Sequence, residues 1–244
     1  MWTWFYRLAS PPHVYRLAAT LTPWFLIPAL IAIAYGVIDG LVFAPPDYQQ
    51  GDAFRIVYVH APAAWMSLFC YVTMAVSGAI GLIWRIKVAH AVSAASAPIG
   101  ASFTILALFT GSLWGRPMWG TFWAWDPRLT SELILLFLYV GVMSLRTAFE
   151  DAPRGDRAAA LLALVGVVNV PIIHFSVVWW NSLHQGATVA KLGKPAMTPS
   201  MLWPLLAMLF GFMCFYGAVL CMRLRGEVLN RELKARWVRE ALSP

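Results

Sequence analysis

Charge is what this 244-residue chain has least of: Asp, Glu, Lys and Arg together make up 12% of it, against 60% apolar residues and a mean hydropathy of +0.67. A water-soluble globule of this length needs far more polar surface, so a soluble domain is excluded and lipid is the expected solvent. Cysteine is scarce too. Cys70, Cys214 and Cys221 all fall in apolar stretches, and the last two, on one helix, stand about 10 Å apart along its axis, too far for a disulfide between them. Low-complexity segments and internal repeats are absent. The Gly-x-x-x-x-Gly-Lys-Ser/Thr loop is missing as well, which excludes ATP hydrolysis by that route and assigns any energy input to a partner. The N-terminal residues lack a charged start, a single short apolar run and a small-residue cleavage site, so membrane insertion is expected to rely on the first span itself.

What the chain does have is apolar runs of membrane-crossing length. They predict spans over Leu21 to Phe43, Val57 to Trp84, Ala91 to Trp114, Leu129 to Leu145, Ala158 to Trp180 and Met201 to Met222. The expected fold is an all-α integral membrane protein, one six-transmembrane-helix bundle over residues 1–244. Its outer face is built from loops 44–56, 115–128 and 181–200. Six spans put both termini on one side, and 13 of the 18 basic residues lie on that side, against Arg55, Arg116, Arg128, Lys191 and Lys194 on the other. The positive-inside rule then makes both termini cytoplasmic. The net charge of +7 reads as topology and not as a nucleic-acid footprint, because the basic residues sit at span ends. The tail from Arg223 onward, residues 223–244, mixes charges with Leu224, Val228, Leu233 and Trp237, as an interfacial helix does. Residues Glu150 to Arg157 read as an ordinary solvated turn.

The informative residues gather on the outward face. Trp119, Trp123 and Trp125 fall within seven residues, preceded by Trp114. Two readings stand. Interfacial belts use Trp as anchors; a cluster this dense also suits stacking against a flat, apolar, aromatic ligand. Asp126 before Pro127 fits the start of a helix, with Asp126 as its N-cap, a structural role more than a catalytic one. Arg116 and Arg128 suit either an anionic ligand group or lipid headgroups.

Histidine supplies a second constellation. His60 precedes Ala61-Pro62 at the outer start of the second span, and His184 lies beyond the outer end of the fifth, at matched depth. Single interfacial histidines are usually just solvated. A pair flanking a Trp cluster could instead hold haem iron from its two sides. His13 and His90 belong to the other side. His174, ten residues before His184, points elsewhere around the helix, towards the bundle interior or a route through it, and is not assigned as a ligand. Cys-x-x-Cys-His is absent, so the chain does not bind haem covalently as a c-type cytochrome does.

Trp-Gly-x-x-Trp-x-Trp-Asp-x-Arg-Leu-Thr, Trp119 to Thr130, resembles the tryptophan-rich WWD motif of haem-handling proteins in cytochrome c biogenesis. Together with His60, Trp-Trp-x-x-Leu-His-Gln ending at Gln185, and the six-span length, the whole chain resembles the CcmC, or haem exporter protein C, family. The resemblance implies that His60 and His184 are axial ligands of haem b, carried transiently as cargo. It also implies that Trp114, Trp119, Trp123, Trp125 and Asp126 form the haem platform. The implied setting is the inner membrane of a bacterial-type cell, with the working face towards the periplasm, where haem is presented to the chaperone CcmE. CcmD and the transporter subunits CcmA and CcmB are the implied partners. Arg128 is a candidate contact for a haem propionate.

Rival readings make different demands. A bis-His membrane cytochrome of electron transfer should place its ligands inside the spans. A cytochrome c synthetase-like haem lyase shares the Trp-rich motif but needs more helices. A transporter of small polar solutes should carry ionisable or broken-helix features at its midplane, at which only Pro171 and His174 hint.

Overall fold

A computed structural model of the chain describes residues 7–186, 189 and 197–242; Lys191 and Lys194, and most of the last outer loop, lie outside the described residues. The elements in order are α1 (Pro11–Ile38) with a π-helical turn (Asp39–Phe43), a 3-10 turn (Asp52–Ile56), α2 (Val57–Trp84), α3 (Lys87–Trp119), α4 (Pro127–Thr147), α5 (Ala152–Gly166), α6 (Asn169–Trp179), α7 (Pro199–Arg231) and α8 (Arg236–Leu242). Among the described residues there is no strand, and six helical stretches are long and apolar enough to cross a membrane: Pro11–Phe43, Asp52–Trp84, Lys87–Trp119, Pro127–Thr147, Ala152–Trp179 and Pro199–Arg231. In a bilayer this is the favoured solution, because a helix satisfies its own backbone hydrogen bonds.

Proline marks the starts. Pro11, Pro127, Pro153 and Pro199 stand in the first turns of α1, α4, α5 and α7, where a missing N–H costs nothing. The fifth span is two helices. Pro171 has no N–H to continue the ladder, the chain turns at Val167 and Val168, and Asn169 Nδ2 donates to the Ser131 carbonyl of α4 at 2.9 Å.

Helix α2 packs against α3, α5 and α7, while α1 leans chiefly on α7. In the most apolar stretch of α1 only 17% of residues are buried, against 61% in α3, so α1 is peripheral and α3 central. The main core runs through Met66, Cys70, Tyr71, Leu135, Tyr139, Leu205 and Met208. A second cluster joins Val14 of α1, Val88, Ala91 and Ala95 of α3, and Leu224 and Val228 of α7, which puts both ends of the chain at one end of the bundle. All three cysteines are free thiols.

Several expectations need correction. Helix α3 continues past Trp114 to Trp119 and stops at Gly120, whose φ of 77° a side chain would strain; Trp114 and Trp119 are therefore helical, and the connecting loop is shorter than 115–128. The tail does not leave the bundle at Arg223: α7 runs on to Arg231, and Val238 of α8 is buried. Glu150 to Arg157 is a solvated turn only in part: Glu150 to Arg154 and Arg157 are exposed, but Gly155 and Asp156 are not. Helix α5 starts at Ala152, and Asp156 is buried in ion pairs with Arg146 and Arg231. His174 faces outward on α6, exposed and edge-on to Phe175, so it neither bonds inside the bundle nor lines a path through it.

Candidate functional site

The end of the bundle opposite the termini collects the first turn of α2, the last turns of α3, the start of α4 and the segment after α6. His60, the fourth residue of α2, is packed against α3. Its Nδ1 lies 3.0 Å from the Ala107 carbonyl and 3.1 Å from Thr110 Oγ1. A carbonyl can only accept, so Nδ1 carries the proton and Nε2 keeps its lone pair free. Gly111 makes this approach possible: a Cβ there would stand 2.9 Å from His60 Cε1. Trp114 closes one side, edge-on to His60 with centroids 5.6 Å apart, and its own Nε1 donates to Gln50 Oε1 at 2.9 Å.

His184 is held by the acid that starts α4. Asp126 Oδ1 accepts the Arg128 backbone N–H at 2.9 Å, an N-cap bond, and the His184 Nδ1–H at 3.1 Å; Oδ2 accepts the Leu183 N–H at 2.8 Å. Asp126 thus caps a helix and fixes an imidazole at once. Burial pushes its pKa up, but the hydrogen bonds from Leu183, Ser182 and Arg128, and the nearby His184, outweigh that and leave it below the ordinary carboxylate value. Burial, reinforced by the Arg128 charge, lowers His184 to about 4. At neutral pH the pair is therefore a carboxylate and a neutral imidazole whose free atom is Nε2. Trp119 stands edge-on to His184, centroids 5.0 Å apart.

Residues 124 positions apart in sequence thus come to the same end of the bundle, each with Nδ1 anchored and, among the described residues, Nε2 without a partner. The two imidazoles lie within electrostatic reach of each other, and Arg128, half-buried, lies within reach of both. Among the described residues the Arg128 guanidinium makes no hydrogen bond. Anchored imidazoles of fixed tautomer are suited to ligating a metal centre, and a guanidinium beside them is suited to a carboxylate.

The Trp residues divide into two pairs. Trp114 and Trp119 touch the imidazoles, whereas Trp123 and Trp125 touch each other edge-on at 5.5 Å, and Trp125 is 76% exposed. Trp125 borders an open cleft of about 320 Å³ that Asp126, Asn181, Ser182 and Leu183 also line. Arg116 turns back on its own loop, with its guanidinium over the Phe122 ring and a hydrogen bond to the Gly120 carbonyl.

The profile of the family described as "CcmC: Heme exporter protein C" matches residues 4–239. The chain belongs to the CcmC family. It is 49% identical to the heme exporter protein C of Haemophilus influenzae over 239 residues, 98% of this chain and 97% of that protein. It is 49% identical to the Escherichia coli K12 protein of the same name over 242 residues, 99% and 98% of the two chains. A ccmC-like mitochondrial protein of cytochrome c biosynthesis from Marchantia polymorpha is 41% identical over 207 residues, 85% of each.

Reasoning from sequence missed the supports. Gln50, Ala107, Thr110 and Gly111 carry no signal as isolated residues, since their role depends on how α2 meets α3. One residue did carry a signal. Glu132 is an acid inside an apolar span, and it is buried with Oε1 accepting the Ser67 hydroxyl at 2.7 Å.

Proposed function

We propose that this CcmC-family chain holds haem at the periplasmic face of the inner membrane and presents it to the haem chaperone CcmE during c-type cytochrome biogenesis. In this reading His60 and His184 ligate the iron of haem b through Nε2, and Trp114, Trp119, Trp123, Trp125 and Asp126 form the platform around it. Arg128 meets a propionate. CcmA, CcmB and CcmD are the membrane partners, and the excess of Arg and Lys at the end bearing the termini makes that end cytoplasmic.

The observation that carries the reading is the matched pair of imidazoles. Both have Nδ1 committed to a protein acceptor, and among the described residues neither Nε2 has a partner, at the same end of the bundle. Six-coordinate haem needs two such donors. Its iron remains reachable from outside, because the ligands stand at the bundle end and not at its centre, which suits handing haem on better than electron transfer across the membrane. The names of the relatives, heme exporter protein C and a protein of cytochrome c biosynthesis, support the same role.

The test is complementation. In a bacterium lacking its own family member, the wild-type chain is expected to restore c-type cytochromes, whereas His60→Ala and His184→Ala accumulate in the membrane without restoring them. Full restoration by both variants would contradict the proposal.

A further inference from the structure

Glu132 lies one turn inward of Arg128 on α4, about 6 Å along the axis. It is 7% exposed, in a span whose neighbours are Leu129, Leu135 and Tyr139. Its Oε1 accepts the Ser67 hydroxyl of α2 at 2.7 Å, two turns below His60, and its other oxygen makes no hydrogen bond among the described residues. Tying α2 to α4 needs only a neutral acceptor, and a glutamine would serve. A carboxylate adds a charge that must be matched within the bundle.

Arg128 is the cation one turn away on the same helix, four residues earlier, where side chains share a face. A long arginine at the first turn of a spanning helix tends to snorkel outward to the headgroups. This one stays half-buried beside the two imidazoles, and the other nearby acid, Asp126, already has its oxygens taken by the Arg128 N–H, the Leu183 N–H and His184. Glu132, one turn along α4, is the nearby acid whose second oxygen makes no hydrogen bond among the described residues, and no ion pair within 4 Å yet joins it to Arg128. We infer that Glu132 is a positioning residue of the haem site: fixed by Ser67, its carboxylate draws the Arg128 guanidinium inward, where it meets a ligand carboxylate beside His60 and His184. The inference rests on the haem-site reading and deepens it, since it explains how selectivity for the propionate-bearing edge of a porphyrin is built.

Haem and haem dimethyl ester, in which the propionates are capped, are titrated into the purified, haem-stripped full-length protein in detergent. Wild type is compared with Arg128→Ala, Glu132→Gln and the double variant. Glutamine keeps the bond to Ser67 and removes the charge. The expected result is a loss of haem affinity of about tenfold in Glu132→Gln and in Arg128→Ala, no further loss in the double variant, and equal binding of the dimethyl ester by all four. Unchanged ester binding also shows that the variants are folded. If Arg128→Ala is weakened while Glu132→Gln binds haem as wild type does, the inference is overturned and the haem site stands. If Glu132→Gln weakens ester and haem alike, or its loss multiplies with that of Arg128→Ala, its role is only structural and the inference is again overturned. If Arg128→Ala binds haem normally, the propionate reading fails and takes the inference with it.

Discussion

The two ends of the bundle use the same kinds of residues to opposite ends. At the end bearing the termini, Arg146 reaches Asp156 at 3.3 Å and Glu227 at 3.2 and 2.6 Å, and Arg231 reaches Asp156 at 2.8 Å. Two acids and two arginines from α4, α5 and α7 pair with one another, and among the described residues only Arg231 Nε of this group is buried without a hydrogen bond, 3.6 Å from Glu227 Oε2. At the site end, Asp126 is satisfied, but among the described residues nothing bonds to Nε2 of His60 or His184 or to the Arg128 guanidinium. Arginines and acids that pair with each other contribute to holding helices together; imidazoles and an arginine left with uncommitted polar atoms are poised for a ligand. The contrast separates charged residues that build the protein from those that bind.

The largest expected effect lies at the closed end. Asp156→Ala strips a buried partner from both arginines and should cost about 3–5 kcal/mol of stability, seen in detergent unfolding curves, while the folded fraction keeps the wild-type haem spectrum. A haem spectrum altered as much as the stability would dissolve the distinction between the ends. Next comes Asp126→Asn, which still caps α4 but no longer offers His184 a carboxylate. Haem affinity should fall about 10–100-fold, and because the amide turns a donor towards the Leu183 N–H that Oδ2 accepts, stability should fall by about 1–3 kcal/mol, as equilibrium titration beside a melting curve would reveal.

A smaller effect is pH-dependent. His184 sits at about 4 in the folded protein against 6.5 for a free imidazole. Below pH 6.5 the unfolded chain takes up a proton that the native state refuses, so stability falls as pH drops from about 6.5 towards 4 and levels off below. Replacing His184 with Gln should flatten that slope of the ligand-free protein, and an unaltered slope would rule out a neutral, buried imidazole. The least effect on the fold belongs to Trp125→Ala. A side chain this exposed should change stability by under about 0.5 kcal/mol, with reduced haem retention as its only signature. A stability loss above that would make Trp125 a membrane anchor instead of part of a platform.

Hydropathy reveals the six spans directly, because an apolar run of about 20 residues is the length a helix needs to cross the hydrocarbon core and satisfy its own backbone there. Helix ends are less legible: hydropathy falls at Gly115 and Arg116, yet α3 continues until Gly120 breaks the hydrogen-bond ladder. His60, His184 and the Trp residues stand out by type and depth, but the acceptors that set their tautomers come from other helices and emerge only from packing. Asp126 shows the difference. Its place before Pro127 announces a cap, while its second duty, holding His184, depends on a loop arriving from α6. Asp156 shows the converse, an acid in a polar-looking turn that tertiary packing buries.

The most direct test of the central claim is the optical spectrum of the purified, haem-loaded protein, oxidised and reduced, for wild type, His60→Ala and His184→Ala. The account predicts six-coordinate, low-spin haem in wild type, and its loss or conversion to high spin in each variant. Low-spin spectra unchanged in both variants, or a wild type that takes up no haem when haem and the partner subunits are supplied, would contradict it.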